Sequence, residues 1–291
     1  MKRILVILLS LATLTAMAQE TFTQEEYLRR YKNLVARVGA SGVGVETLLN
    51  RWAEAYPEDV QQMLARFSFC YARCQTTRLE QKPVDRYLGR EPILPMTDSL
   101  GNKCNYFEVT DFDEELYAQA NLAIDQAIAA APEHLDYRLV KLDAMLAFEQ
   151  GNPDMTLQQL KALADYHFKQ HPAWVYEGMG EVDNDQFKAF MQDYCVALFR
   201  LGTPGGSEAF KAFSEYLLTY CKDEPLYLNN LGSYYLTKKD FKKAQKYFDQ
   251  VLKKDSSDMT ALRNGILMAR NGASETDRTS AQARLDAYNK K

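Results

Sequence analysis

The sequence predicts an all-α chain of about six stacked helical hairpins, with one small β-hairpin inserted near residues 77–112. Three observations carry that prediction. First, one spacing recurs six times: two residues four apart, then a third three further on, which is one stripe of a 3.6-residue helix. Second, 14 Gly and 9 Pro are too few for a sandwich or barrel of many short strands. Third, the 77–112 stretch breaks the helical pattern, and it holds three of the nine prolines, Pro83, Pro92 and Pro95.

The chain begins with an address. Met1-Lys2-Arg3 is a short positive region, and Ile4 to Leu14 is apolar apart from Ser10 and Thr13. Ala16-Met17-Ala18 fits the small-x-small cleavage rule, so residues 1–18 are expected to be a signal peptide and Gln19 the first mature residue. No Cys follows the apolar run, which disfavours a lipid anchor. The protein is therefore expected in the periplasm or secreted, with no membrane insertion after cleavage. Without Lys2 and Arg3 the mature chain carries 33 basic and 39 acidic residues, a net charge of −6. That balance speaks against nucleic acid as a partner.

The hairpins follow in order. The first, 24–56, opens on Thr23-x-x-Glu26, the pattern of a capping box, and shows Val45/Leu49/Trp52 before Pro57. The second, 58–131, shows Ala120/Ile124/Ala127 before Pro132, and the third, 133–170, Leu160/Ala164/His167 before Pro172. A proline just past a stripe cannot continue the helix and marks its stop. The fourth, 183–220, starts at Asp183 or Asn184 as cap and carries Ala209/Phe213/Tyr216. In the fifth, 224–253, Leu228, Leu231 and Tyr235 share a face, and Gly232 lets a partner helix approach closely. Asp240 caps the helix that bears Ala244/Phe248/Val251. The sixth, 258–289, carries Ala281/Leu285/Tyr288 and ends polar. A hairpin alone cannot bury its apolar face, so the units are expected to stack.

Within the insertion, Ile93-Leu94-Pro95-Met96 and Tyr106-Phe107-Glu108-Val109-Thr110 look extended, and the turn formers Asp98-Ser99-Leu100-Gly101-Asn102 join them. Tyr87, Tyr106 and Phe107 either cover an apolar side of the stack or form a recognition flap. The irregular stretch from Pro172 to Glu181, with Trp174 and Tyr176, is expected to pack against a neighbouring hairpin; an exposed aromatic loop is the alternative.

No metal or cofactor is expected. His167 and His171 are four apart on a predicted helix, but Phe168-Lys169-Gln170 between them supplies no carboxylate, and His167 occupies a packing position. Five cysteines in an exported chain allow bridges: Cys74 or Cys70 with Cys104, and Cys195 with Cys221. The alternative is that each is a small buried hydrophobe. Lys238-Lys239-Asp240-Phe241-Lys242-Lys243 reads as a solvated turn, and the acidic runs at 111–115 and 183–185 read as helix N-terminal carboxylates. The chain has no G-x-G-x-x-G, no P-loop and no G-x-S-x-G motif.

Leu262 stands 34 residues after Leu228, and Asn264 as far after Asn230. Two helices per unit at that period resemble the tetratricopeptide repeat. In residues 225–256, Leu231, Gly232, Tyr235, Ala244 and Phe248 match the family pattern. Leu228 stands where the family usually has Trp, Val251 where it has Ala, and Ser256 where it has Pro. Earlier units match mainly in their second helix. The layout is similar to exported tetratricopeptide proteins of diderm bacteria, whose function is mostly unassigned.

The resemblance implies a right-handed solenoid over 19–291 whose concave groove is lined by the first helix of each hairpin. Carried over, the groove positions are Leu226, Asn229, Ser233, Leu236 and Thr237, then Arg263, Leu267 and Arg270. Asn230 and Asn264 fall on a position the family uses structurally. The function expected is a non-enzymatic scaffold that binds a protein or peptide. The alternatives are a glycan-binding accessory protein, or an enzyme with a site near the insertion.

Overall fold

A computed structural model describes residues 22–270 and 286; the leader at 1–18, the stripe Ala281/Leu285/Tyr288 and the Arg270 side chain lie outside the described residues. The described chain is mostly helical and forms two units, one of residues 22–76 and 111–132, the other of 77–110 and 133–270.

The first unit holds α1 (Gln24–Val38), α2 (Val45–Ala55), α3 (Val60–Arg73) and α4 (Glu114–Ala130). Thr23 Oγ1 accepts the Glu26 N–H, one half of the expected box. The stripe Val45, Leu49 and Trp52 is fully buried on α2. Trp52 donates its indole N–H to Asp59 at 2.9 Å, while the other carboxylate oxygen of Asp59 caps α3 through the Gln61 N–H. Tyr27 lies parallel to the Trp52 ring at 5.9 Å. On α4, capped by Asp113, the stripe Ala120, Ile124 and Ala127 is likewise buried, and α4 packs along α3.

The second unit holds α5 (Leu135–Glu149), α6 (Asp154–Gln170), α7 (Asn184–Arg200), α8 (Pro204–Tyr220), α9 (Pro225–Thr237), α10 (Phe241–Lys254) and α11 (Met259–Arg270). α5 packs on α6, and from α7 to α11 each helix packs on the next; α6 also meets α8, α7 meets α9, and α9 meets α11. Local signals set the starts. Asp183 and Gln186 form a reciprocal capping box on α7, and Asp240 accepts the Lys243 N–H at the head of α10. Glu149 closes α6 from outside: its carboxylate accepts the Met155 and Thr156 N–H groups and the Thr156 hydroxyl at 2.6–2.7 Å. Gly232 provides the expected close approach, since a Cβ there would lie 2.4 Å from the Phe248 ring.

The 77–112 region contains the expected hairpin and one strand more. Leu94 faces Tyr106 and Thr97 faces Lys103 in antiparallel bridges. Asp98 Oδ1 accepts the Leu100 and Asn102 N–H groups, which fixes the turn. The correction is β1 (Gln75–Lys82), which follows directly on α3 and pairs with β2 (Asn105–Phe112). Its mostly polar sequence, Gln-Thr-Thr-Arg-Leu-Glu-Gln-Lys, has no apolar alternation to announce a strand.

The arm 77–110 is seated within the second unit around one tight turn. Tyr87 and Arg90 exchange hydrogen bonds of 3.0 Å around Leu88 and Gly89, both at positive φ, as a two-residue hairpin turn of type I′ requires. A Cβ on Gly89 would lie 1.6 Å from the Arg200 carbonyl oxygen, so only glycine fits. Leu88 lies against Gly151, and Gln150 donates its carboxamide N–H to the Thr110 carbonyl at 3.0 Å. The 172–183 stretch forms β3 (Val175–Tyr176) and β4 (Gly180–Glu181), paired antiparallel.

Candidate functional site

The residues carried over as groove positions sit on α9 and α11, which touch. On these two helices Leu228, Leu231, Leu262 and Met268 are buried in packing, whereas Leu226, Thr237, Arg263 and Leu267 are exposed. Leu226 is 40% exposed and Leu267 45%, both high for leucine. Ser233 and Leu236 are half-buried.

Asn229 departs from the expectation. It is only 8% exposed, and its amide donates to Asp258 Oδ1 at 3.1 Å. The same oxygen accepts the Ala261 N–H at 2.8 Å and so caps α11. Asn229 thus ties α9 to the head of α11. One turn on, Asn264 donates to Ser233 Oγ at 3.3 Å and makes a second tie. Asn230 is structural, as the resemblance implied: it exchanges amide hydrogen bonds with Gln192 at 2.8 and 2.9 Å and donates to Ser214. The result is a pair of touching helices, tied by amide hydrogen bonds, that carry two leucines and one arginine in solvent.

The other sequence candidates separate cleanly. Trp174 is 1% exposed and packs against Tyr166, so its loop serves packing and provides no aromatic platform. Its indole N–H donates to His167 Nδ1, and His167 Nε2 meets Asn184 Oδ1 at 2.9 Å. Both ring nitrogens are therefore engaged, and no lone pair is left for a metal. His171 is the left-handed C-cap of α6, and His134 pairs with Asp136 at 3.2 Å.

All five cysteines are free, so neither the Cys74–Cys104 nor the Cys195–Cys221 bridge is present. For the second pair the helix geometry gives the reason. Cys195 lies level with Ser214, whose hydroxyl is 3.7 Å from its sulfur. Cys221 is seven residues further along, about 10 Å by helical rise, whereas a disulfide spans Cα atoms only about 4.4–6.8 Å apart. Burial pushes the Cys195 thiol up to about 12 and that of Cys74 to about 11, which makes them packing groups and poor nucleophiles.

Two of the four lysines of the basic turn are held in ion pairs. Lys238 pairs with Glu208 at 3.2 Å and Lys243 with Asp240 at 2.9 Å, and both ammonium groups sit over tyrosine rings. One cluster escaped the sequence reading. Asp165 on α6 accepts the hydroxyls of Tyr216 and Tyr220 from α8, and Lys169 at 2.8 Å. These hydrogen bonds, that of Lys169 foremost, hold its carboxyl down at about 2. The spacings Asp-x-x-x-Lys and Tyr-x-x-x-Tyr, each one turn apart, were the available signal.

No protein-family model matches the chain, and no curated protein is significantly similar to it.

Proposed function

We propose that the chain is an exported tetratricopeptide-like scaffold, a right-handed stack of about six helical hairpins, that binds a protein or peptide along the α9–α11 face. The observation that carries this reading is the contrast on that face. The packing residues Leu228, Leu231 and Leu262 are buried, while Leu226, Leu267 and Arg263 on the same two helices lie in solvent. Exposed leucines supply apolar anchorage, and Arg263 offers a forked donor to a carboxylate or a peptide carbonyl. The contacts α7–α9 and α9–α11 support it further, since a stack of hairpins would bring such alternate helices together. Export rests on the leader at 1–18. The glycan alternative loses the Trp174 platform, which is buried.

A random peptide display library panned against the chain tests the reading. Selected peptides, tethered to a photo-crosslinker, are expected to label α9 and α11, and Arg263→Glu with Leu267→Asp is expected to abolish their binding. Peptides that label α10 instead, around Lys253, or that bind the double variant unchanged, would refute it.

A further inference from the structure

The arm 77–110 has a two-sided character that its seating does not use up. In the register Leu94–Tyr106 and Thr97–Lys103, Met96 stands opposite Cys104, whose N–H donates to the Met96 carbonyl at 3.0 Å. Strand alternation then puts Asn105, Phe107 and Val109 on one face, and Leu94, Met96, Cys104 and Tyr106 on the other. The first face is buried and the second is exposed or half-exposed. At the apex Leu100 is 85% exposed on a turn that Asp98 holds in place.

The charges of the arm narrow what can cover this face. Residues 77–110 carry five basic and five acidic side chains and so are neutral, in a chain of net charge −4. Four of the five cations are held in ion pairs: Arg78 and Lys82 with Glu80, Arg86 with Glu91, and Lys103 with Asp85. That leaves little positive charge for phosphate headgroups. Pro92 and Pro95 remove N–H groups from the strand that carries Leu94, so its outer edge is a poor template for an added strand.

We propose that the Leu94–Met96–Cys104–Tyr106 face is a self-association surface on which a second copy of the chain docks, arm against arm. A two-fold contact requires a patch that is its own complement. A neutral apolar strip meets that requirement, whereas the acidic remainder of the chain repels its copy. Because the contact is face to face and the edge is blocked, assembly closes at two. This inference stands apart from the α9–α11 reading and does not depend on it.

Sedimentation velocity on the full chain over a concentration series tests it. A reversible dimer is expected, and Leu94→Lys or Met96→Glu should each raise its dissociation constant about tenfold or more. Leu122→Lys, on an exposed leucine of α4, should leave it unchanged. Diamide supplies a second readout. Two Cys104 thiols from paired copies give up two protons and two electrons to it and form one inter-chain disulfide. That dimer should vanish in Cys104→Ser and under dithiothreitol. Near-ultraviolet circular dichroism checks that each variant remains folded. A monomer at every concentration overturns the proposal. So does a dimer indifferent to both patch variants, one cross-linked through another cysteine, or patch-dependent binding to phosphatidylcholine vesicles.

Discussion

The Trp174 indole N–H donates to His167 Nδ1 across 3.1 Å, which assigns the imidazole proton to Nε2, the nitrogen that faces Asn184. The ring is also stacked on Phe187 at 3.6 Å. This arrangement needs neutral histidine. Burial, the largest cause, lowers the His167 pKa from its ordinary 6.5, and His171 adds to the effect against the opposing Asn184 hydrogen bond.

The pH dependence follows from the direction of that shift. The folded state resists the proton that the unfolded chain accepts near pH 6.5, so the stability contributed by His167 is complete above that pH. It is lost as pH falls from there toward the lower folded value. The melting temperature should therefore drop between pH 7.5 and 5, and His167→Gln should flatten the slope. Equal slopes in the two proteins would contradict the assignment.

Gly89→Ala should unseat the arm. The new methyl would overlap the Arg200 carbonyl, and a left-handed backbone adds strain of about 1 kcal/mol or more. Limited proteolysis should cut within 77–110 in the variant and spare the parent. An unchanged digest would show that the turn is free to move aside.

Gly232→Ala probes the approach of α9 to α10. The added carbon would meet the ring of the fully buried Phe248 at 2.4 Å, an overpacking defect of about 1–3 kcal/mol. Urea denaturation should show a lower midpoint at constant slope. A neutral result would mean that Phe248 shifts without cost.

Glu149→Ala removes the carboxylate that closes the first turn of α6. Loss of a charged cap should lower stability by about 1–2 kcal/mol, with faster amide exchange at Met155 and Thr156 than at the far end of α6. Uniform exchange along the helix would separate the cap from helix stability.

The stripes were the legible part of the fold, because a helix that buries one face must repeat its apolar residues at i, i+4 and i+7. Val45/Leu49/Trp52 and Ala244/Phe248/Val251 are buried as the spacing demands. Gly232 was equally legible, since only a close neighbour explains glycine within a helix. β1 was not, because its pairing with β2 is set by partners far along the chain and leaves little trace in its own polar sequence. At the candidate site, Leu226, Arg263 and Leu267 lie in solvent, whereas Asn229 does not. Its burial follows from Asp258, a helix cap 29 residues away, and short-range spacing cannot show such a contact. The Cys195–Cys221 bridge failed for a related reason: Cys195 lies past the middle of α7, so its level against α8 could be set only once the helix ends were known.

The seating of the arm has a consequence for how the chain can be divided. The stretch 77–110 is synthesised before either loop that receives it, around residues 150 and 200. A fragment ending at residue 132 would keep Leu88, Gly89 and Thr110 but lose Gln150, Gly151 and Arg200, which they meet, and one beginning at 133 would keep those three without the arm. Any attempt to produce the halves separately would therefore have to graft that segment onto the later piece, since its position along the polypeptide and its home in the folded protein do not coincide.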